Sequence, residues 1–358
     1  MLEILNQFAT EGTPVRCVPY GSGHINETRL AETDRGHRYI LQKVNTATFP
    51  DPEGLMNNII LVTEHLRKKD PVPGHVLSLI PTKEGKPYVL LAGKELWRMY
   101  DFIPGGVCLD RAETPDDFRL SGKAFGRFQR QMADFDAERL TEVIPGFHDT
   151  PGRYKAFHRA VLADRMNRAS GVRREIDFYL EREASAGTMV GMQRKGELPL
   201  RVTHNDTKLN NVMLDKETRE PLCILDLDTV MPGLAANDFG DSIRFGASTA
   251  AEDEPDTGKV RLDLELYEAY ARGFLGACGS RLTEAEKETL PEGARLMTLE
   301  CGIRFLTDYL EGDTYYHTER AGQNLDRTRT QIALVRDMEE QDNRIRDMIR
   351  RICTEESI

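Results

Sequence analysis

One short polar stretch combines the side chains that phosphoryl transfer to a hydroxyl group requires. It runs His204-Asn-Asp206-Thr-Lys208-Leu-Asn-Asn211. We predict that the Asp206 carboxylate accepts the proton of an attacking hydroxyl, because that proton must leave as the P–O bond forms. The Asn211 amide oxygen can hold a Mg²⁺ ion, and Lys208 can neutralise the charge on the transferring phosphoryl group. A plain polar loop is the alternative, because this spacing alone is weakly diagnostic.

A pair of carboxylates follows at the predicted end of an apolar strand, Cys223-Ile-Leu-Asp226-Leu-Asp228. Residues two apart on a strand point to the same face, so we expect Asp226 and Asp228 to share a face. Two anions there repel each other unless a cation or hydrogen-bond donors lie between them. Mg²⁺ on the phosphates of ATP is the predicted cation, because it prefers few carboxylates plus phosphate oxygens and water. Two solvated carboxylates are the alternative.

Two further segments are predicted to hold the nucleotide. Gly21, Ser22 and Gly23 form a turn between two predicted strands, where main-chain N–H groups can approach phosphates. An ordinary hairpin turn is the alternative. A predicted strand over 97–103 runs into Pro104-Gly-Gly106, which we interpret as a hinge over 99–106. We expect the base of ATP near Tyr100, Phe102 and Ile103, which lie in this hinge.

The order of predicted elements indicates an α+β protein with two parts. Short strands and turns dominate up to about residue 91, and helical apolar periods dominate after residue 115. We therefore predict a small, β-rich nucleotide-binding lobe over 1–98. After the hinge, we predict a larger, mainly helical catalytic and substrate-binding lobe over 107–358. The length of 358 residues also favours two lobes over one small core.

Composition excludes several classes of function. The formal charge of −11 argues against nucleic acid, whose phosphates favour a basic surface. No apolar run approaches the ~18 residues that cross a bilayer, and the N-terminus does not resemble a secretory signal. The six cysteines are scattered without a C-x-x-C pair, which favours reduced thiols over a zinc site. These patterns predict a cytoplasmic protein with small-molecule partners, no membrane contact, and a monomeric or weakly homodimeric state.

With these elements in order, the chain resembles the aminoglycoside phosphotransferase and choline kinase superfamily. Within it, the chain resembles the bacterial N-acetylhexosamine 1-kinases over essentially its whole length. The stretches that carry the resemblance are Tyr20-Gly-Ser-Gly-His-Ile-Asn26, Arg38-Tyr-Ile-Leu-Gln42, Thr203-His-Asn-Asp-Thr-Lys-Leu-Asn-Asn211, Leu225-Asp-Leu-Asp-Thr229, Asp238-Phe-Gly-Asp-Ser-Ile-Arg-Phe-Gly-Ala-Ser-Thr249 and Glu300-Cys-Gly-Ile-Arg-Phe-Leu-Thr-Asp-Tyr-Leu-Glu-Gly-Asp313.

The resemblance implies a two-lobed, protein-kinase-like fold. It also implies transfer of the γ-phosphoryl group of ATP to the anomeric hydroxyl of N-acetylglucosamine or N-acetylgalactosamine. Asp206 would be the base, and Asn211 and Asp226 the Mg²⁺ ligands. The implied sugar contacts are His24, Asp206, Asp228, Arg304 and Tyr315. Simpler roles are open for these residues. His24 can be a turn residue, and Tyr315 can be a half-buried aromatic residue in a loop. Arg304 can pair with an acidic residue at 300 or 308 one helical turn away, and Asp241 can simply brace the catalytic loop.

The chain departs from the general kinase pattern at the strand that normally carries an ATP-binding lysine. Gln42 occupies that place, and Lys43 beside it points to the opposite face. The helix that normally supplies a partner glutamate has Asn57-Asn58 there, with Glu64 further on. We therefore expect either that glycine-loop amides and the metal hold the phosphates or that a different basic residue enters the nucleotide pocket, with Gln42 facing the nucleotide.

Two alternative functions remain open from the sequence. The same machinery can act on a hexose, homoserine, choline or an aminoglycoside, although a single Trp weakens the choline alternative because choline sites use aromatic cages. A catalytically silent binding protein would lack the catalytic carboxylate or the metal ligands, and both are present here. The sugar epimer, the anomer and the preferred nucleotide are also open.

Overall fold

The structure, a computed structural model, describes residues 1–21, 25–92, 95–356 and 358. It divides into two compact units. The smaller unit comprises Met1–Cys108, Phe135–Pro145 and Val212–Pro232, and the larger comprises Leu109–Asp134, Gly146–Asn211 and Gly233–Ile358. The smaller unit holds most of the strands and the larger unit most of the helices. The predicted α+β class is confirmed.

The described residues form ten strands and twelve α-helices. The strands are β1 (Pro14–Pro19), β2 (Glu27–Thr33), β3 (Arg38–Lys43), β4 (Val89–Leu91), β5 (Glu95–Asp101), β6 (Gly106–Val107), β7 (Arg201–Thr203), β8 (Val212–Asp215), β9 (Pro221–Ile224) and β10 (Met231–Gly233). The helices are α1 (Leu2–Leu5), α2 (Pro52–Lys69), α3 (Pro115–Gln131), α4 (Thr150–Ala163), α5 (Arg173–Leu180), α6 (Glu183–Ala186), α7 (Thr188–Arg194), α8 (Ala235–Gly246), α9 (Leu264–Cys278), α10 (Glu284–Glu311), α11 (Gln323–Glu340) and α12 (Asp342–Glu355).

The main sheet of the smaller unit is antiparallel, with strand order β1-β2-β3-β5-β4. One face buries an apolar cluster that includes Phe8, Leu41 and Trp97. The β3–β5 register places Gln42 directly opposite Arg98. A second sheet, with order β6-β8-β9, carries the chain toward the acidic segment after β9.

In the larger unit, α8 and α10 approach closely because glycines face each other. A Cβ atom on Gly240 would lie 2.3 Å from the carbonyl oxygen of Gly293, and one on Gly293 would lie 2.2 Å from that of Ala236. Any side chain at either position would force the helices apart. This contact fixes the two helices that carry much of the candidate site.

Apolar patterns in the sequence predict a strand over 76–80, a helix in two pieces over 283–309 and a single helix over 327–351, and all three differ from the structure. The predicted strand over 76–80 makes only an isolated bridge between Leu79 and Tyr100, because just two main-chain bonds tie it to β5. The predicted break within 283–309 is absent: α10 is continuous through Pro291 and begins with a capping box at Thr283. The predicted single helix over 327–351 is two helices that meet at Gln341, where the apolar stripe is interrupted.

No α-helix in the described ranges combines the length and apolar character needed to span a bilayer.

Candidate active site

The predicted catalytic loop follows β7 and is tied to α8 by one buried carboxylate. Oδ2 of Asp238 accepts hydrogen bonds from the main-chain N–H of His204 at 2.9 Å and from the Gln129 side chain at 2.9 Å. Oδ1 accepts the main-chain N–H of Asn205 at 2.9 Å, at a residue with φ of 62°. Burial raises the pKa of Asp238, while these donors favour its charged form. Asp238 thus fixes the turn into the loop.

A second set of bonds braces the centre of the loop. Oδ2 of Asp241 accepts the main-chain N–H of Thr207 at 3.1 Å. The Thr207 hydroxyl donates to the carbonyl of Asp238 at 2.7 Å, and the Ser242 hydroxyl donates to the carbonyl of Thr207 at 2.7 Å. Asp241 therefore braces this loop, the role that the sequence left open for it, and Asp238 shares that role.

The loop brings Asp206, Lys208 and Asn211 together. Nζ of Lys208 lies 2.8 Å from Oδ1 of Asp206. Nδ2 of Asn211 donates to Oδ2 of Asp206 at 2.9 Å and to its carbonyl oxygen at 2.8 Å. Burial alone would lower the pKa of Lys208, but the Asp206 carboxylate raises it, so the ammonium stays charged. The carboxylate predicted as the base is therefore oriented on both oxygens and remains partly exposed.

The acidic segment of the smaller unit has a different geometry from the prediction. Strand β9 ends at Ile224, and Asp226 adopts a left-handed conformation with φ of 54° and ψ of 64°. A 3-10 turn over Leu227–Thr229 follows. Because the chain turns at Asp226, the predicted shared face is wrong: Asp226 is exposed and Asp228 is buried.

Asp228 takes part in an internal ion pair. Its Oδ1 lies 2.6 Å from Nη1 of Arg98, and both side chains are almost fully buried. Its Oδ2 accepts a hydrogen bond from Nδ2 of Asn26 at 2.6 Å. Burial would lower the pKa of Arg98, but the charge of Asp228 holds it above its ordinary value. These contacts engage both carboxylate oxygens, which weighs against direct sugar contact by Asp228.

The residues at the kinase lysine and glutamate positions have defined partners. Oε1 of Gln42 accepts from Nε and Nη2 of Arg98 at 3.0 and 2.8 Å. Lys43 points to the other face, as predicted, and pairs with Glu95 at 2.7 Å. Asn58 is buried on α2, and its Nδ2 donates to the carbonyls of residues 141 and 230 at 2.7 and 2.9 Å. Glu64 is exposed. Gln42 thus pairs with a guanidinium of the neighbouring strand β5.

Two of the predicted metal ligands, one in each compact unit, carry oxygen atoms of the kind that a divalent cation takes. Nδ2 of Asn211 is engaged by Asp206, which leaves its amide oxygen as the group suited to a metal. Asp226 presents an exposed carboxylate at a constrained turn. An amide oxygen and a carboxylate are the hard oxygen ligands that Mg²⁺ takes alongside phosphate oxygens.

The other predicted nucleotide residues lie in the smaller unit. Gly21 has φ of 77°, a turn conformation suited to glycine. Ser22, Gly23 and His24 fall outside the described residues. The Tyr100 side chain is buried beside Arg98, and Phe102 packs under the Arg38 guanidinium, 4.0 Å from the ring centroid.

The segment predicted to be a hinge has little regular structure. Strand β5 ends at Asp101, earlier than the predicted 103, and β6 begins at Gly106. Phe102 and Ile103, both half-buried, lie in the irregular segment between them.

In the larger unit, an arginine lies among aromatic rings. The Arg304 guanidinium is 5.7 Å from the ring centroid of Phe147, 6.0 Å from that of Tyr315 and 5.6 Å from that of Tyr316. Burial would lower the pKa of Arg304, but neighbouring ionisable groups, Tyr316 first, raise it. Tyr315 is 70% exposed, so its ring is available to a ligand. No ion pair joins Arg304 to residue 300 or 308 among the described residues.

Within the larger unit, ionisable side chains link Arg304 electrostatically to Asp241, which braces the predicted catalytic loop. Glu300 is buried and accepts from Thr150 at 2.7 Å, while Nδ1 of His148 lies 3.0 Å from its other oxygen. Burial would raise the pKa of Glu300, but His148 and then Arg304 contribute to lowering it. Burial would likewise raise the pKa of Asp241, but Arg244, Lys208 and His148 together bring this pKa below its ordinary value. His148 therefore lies within electrostatic reach of both carboxylates.

A short loop after α10 is held by Asp308. Its Oδ1 accepts the main-chain N–H groups of Thr314 and Tyr315, at 2.9 and 2.8 Å. Its Oδ2 accepts a hydrogen bond from the main-chain N–H of Tyr316 at 3.0 Å and another from Nδ2 of Asn324 at 2.9 Å. Asp308 thereby sets the position of the two tyrosines beside Arg304.

Sequence reasoning missed several of these residues. Arg98, Phe147 and His148 lie far along the chain from the groups they contact, so no local spacing marks them. Asp238 was within reach of prediction, because it begins the same Asp-Phe-Gly-Asp stretch that contains Asp241.

Solved structures share this fold at low sequence identity. One is a microcompartment-associated aminopropanol kinase, with a TM-score of 0.60 and 16% identity over 96% of this chain and 97% of that one. Amicoumacin kinase hAmiN, solved with AMP-PNP, Ca²⁺ and Ami, has a TM-score of 0.60 and 15% identity, over 95% and 92% of the two chains. An aminoglycoside phosphotransferase from Alicyclobacillus acidocaldarius has a TM-score of 0.59 and 11% identity, over 100% and 96%.

The family comparison covers both the glycine turn and the acidic segment. The model of the phosphotransferase enzyme family (APH) matches residues 16–273, a span that contains Asp206, Lys208, Asn211, Asp226 and Asp238. This span is well over half of the chain. The protein therefore belongs to the phosphotransferase enzyme family and has its kinase-like fold.

Proposed function

We propose that the protein is an ATP-dependent small-molecule kinase that phosphorylates the anomeric hydroxyl of N-acetylglucosamine or N-acetylgalactosamine. The observation that carries the proposal is the braced loop holding Asp206 between Lys208 and Asn211. ATP is supplied in the cytoplasm, so we place the enzyme there.

In the proposed reaction, the Asp206 carboxylate accepts a hydrogen bond from the acceptor hydroxyl and then its proton. The acceptor oxygen bonds to the γ-phosphorus as the bond to the β–γ bridging oxygen breaks, and ADP leaves. Lys208 offsets the charge on the transferring group, and its raised pKa keeps it protonated for that role. A divalent metal would neutralise phosphate charge when bound, and the family resemblance implies that Asn211 and Asp226 are its ligands. Most of the rate then comes from positioning and charge stabilisation.

The position of the Arg304 guanidinium among Phe147, Tyr315 and Tyr316 supports an acceptor without positive charge. Aminopropanol, choline and aminoglycosides carry positive charge, and a fixed guanidinium in the acceptor site would repel them. A sugar hydroxyl or acetamido oxygen instead accepts hydrogen bonds from that guanidinium. The exposed ring of Tyr315 offers an apolar surface for the sugar's C–H groups. His24 is the further sugar contact that the family resemblance implies.

An acceptor panel tests the proposal. ADP release with Mg-ATP is measured for N-acetylglucosamine, N-acetylgalactosamine, glucose, galactose, choline, homoserine and kanamycin. We expect the N-acetylhexosamines to dominate, and ³¹P–¹H NMR of the product to place the phosphate on O1. Preference for a cationic acceptor, or phosphate on O6, would overturn the assignment of the acceptor site.

A further inference from the structure

We propose that Arg98 is a positioning residue that holds the turn carrying Asp226, and that it does so without touching the nucleotide. It would thus supply the organising role, but not the phosphate contact, of the lysine that β3 lacks. The inference rests on the proposed function only for the assignment of Asp226 as a metal ligand.

The Arg98 side chain is buried inside the smaller unit and interacts with Asp228 and Gln42 there. Its residue exposure is 1%, Nη1 lies 2.6 Å from Oδ1 of Asp228, and Nε and Nη2 both donate to Oε1 of Gln42. The Gln42 amide is itself oriented, because its Nε2 donates to the Thr28 hydroxyl at 3.1 Å. Nε and Nη2 are therefore hydrogen-bonded, and Nη1 is held by a close ion pair without hydrogen-bond geometry. Reaching a phosphate would require breaking these interactions.

The turn depends on anchors that lie just after Asp226. A non-glycine residue with φ of 54° persists only where its surroundings fix it. Asp228 is held by Arg98 and by Asn26 at 2.6 Å, and the Val230 carbonyl is held by Asn58 at 2.9 Å. Of these anchors, Arg98 is the one that carries a full charge. Loosening it should release the conformation that presents the Asp226 carboxylate.

A positioning role predicts a selective defect in metal binding. Groups that orient a metal ligand typically change metal affinity by roughly 10–100-fold when replaced. A group that touches the nucleotide would instead weaken binding of the nucleotide alone. Arg98→Lys keeps one positive charge near Asp228 but cannot make the paired bonds to Gln42, so it separates charge from geometry.

The test uses the full chain with Mn²⁺ as a spectroscopic probe. Mn²⁺ binding to the enzyme–ADP complex is followed by EPR, and ADP binding without metal is measured by calorimetry in EDTA. We expect Arg98→Lys and Arg98→Met to weaken Mn²⁺ binding by roughly 10–100-fold while ADP binding without metal stays unchanged. Arg16→Met is the matched control, because Arg16 makes an exposed pair with Glu32.

Two results would overturn the inference. Unchanged Mn²⁺ affinity in folded Arg98→Met would show that Arg98 does not position the turn, and an equal loss of metal-free ADP binding would show that it serves the nucleotide. If Arg98→Met does not fold, Asp228→Asn takes its place and must give the same selective loss. No acceptor is used, so an error in the proposed sugar leaves this outcome untouched.

Discussion

Replacing Asp308 with asparagine should disorder the loop that carries Tyr315. Asp308 is 4% exposed, and its two oxygens receive four hydrogen bonds. Each oxygen receives two: from Thr314 and Tyr315 at Oδ1, and from Tyr316 and Asn324 at Oδ2. Asparagine has one acceptor oxygen, so its amide nitrogen faces two donors whichever way it is turned.

The size of the effect follows from the bonds that are lost. A hydrogen bond to a charged group contributes roughly 1.5–3 kcal/mol, so losing two costs about 3–6 kcal/mol. Three of the four donors are main-chain groups of the loop itself, so most of the cost falls on its ordered state. Even half of the lower figure corresponds to about a tenfold change in an equilibrium constant.

Steady-state kinetics on Asp308→Asn give the assay. We expect the apparent KM for the acceptor to rise at least about tenfold with the KM for ATP unchanged, because the loop carries Tyr315, the proposed sugar contact, and none of the residues proposed to bind the nucleotide. Asp347→Asn is the matched control, since Asp347 makes an exposed pair with Arg350. Unchanged acceptor KM and unchanged thermal midpoint in Asp308→Asn would refute the reasoning.

Three further predictions concern the charged residues Glu300, Arg98 and Arg304. Glu300→Gln should lower the free energy of unfolding at neutral pH. The difference in unfolding free energy between the wild type and this variant should shrink as pH falls below roughly 4.3. The reason is that the lowered pKa of Glu300 in the folded state gives a stabilisation that protonation removes. A difference in unfolding free energy, measured with urea, that does not change with pH would contradict this. Arg98→Met should lower the free energy of unfolding in urea by about 3–5 kcal/mol, because it leaves the buried Asp228 carboxylate without its partner. The double variant Arg98→Met/Asp228→Leu should recover most of this loss. No recovery would mean that the unpaired Asp228 charge is not its cause. Arg304→Lys should raise the acceptor KM and spare that of ATP, because an ammonium lacks the planar stacking surface; the reverse pattern would place Arg304 at the nucleotide.

The catalytic loop could be predicted because its members are close neighbours in sequence. A turn of a few residues brings Asp206, Lys208 and Asn211 together wherever the loop lies in the fold. Strand alternation likewise predicted that Lys43 points away from Gln42, and its pair with Glu95 confirms this.

The acidic segment could not be predicted in the same way. Alternation holds only while the strand continues, and the strand stops at Ile224, before the carboxylates. The left-handed conformation of Asp226 has no glycine to mark it. The partners that fix the turn, among them Arg98 and Asn58, come from distant parts of the chain, so only the fold reveals them.

The most direct test of the account is phosphoryl transfer by Asp206→Asn under single-turnover conditions. With enzyme in excess of labelled ATP and saturating acceptor, we expect the variant to keep its fold and its ATP affinity. Its transfer rate should fall by at least about a hundredfold, the usual contribution of a general base. Transfer at the wild-type rate by a folded Asp206→Asn would contradict the central claim that this carboxylate carries the chemistry.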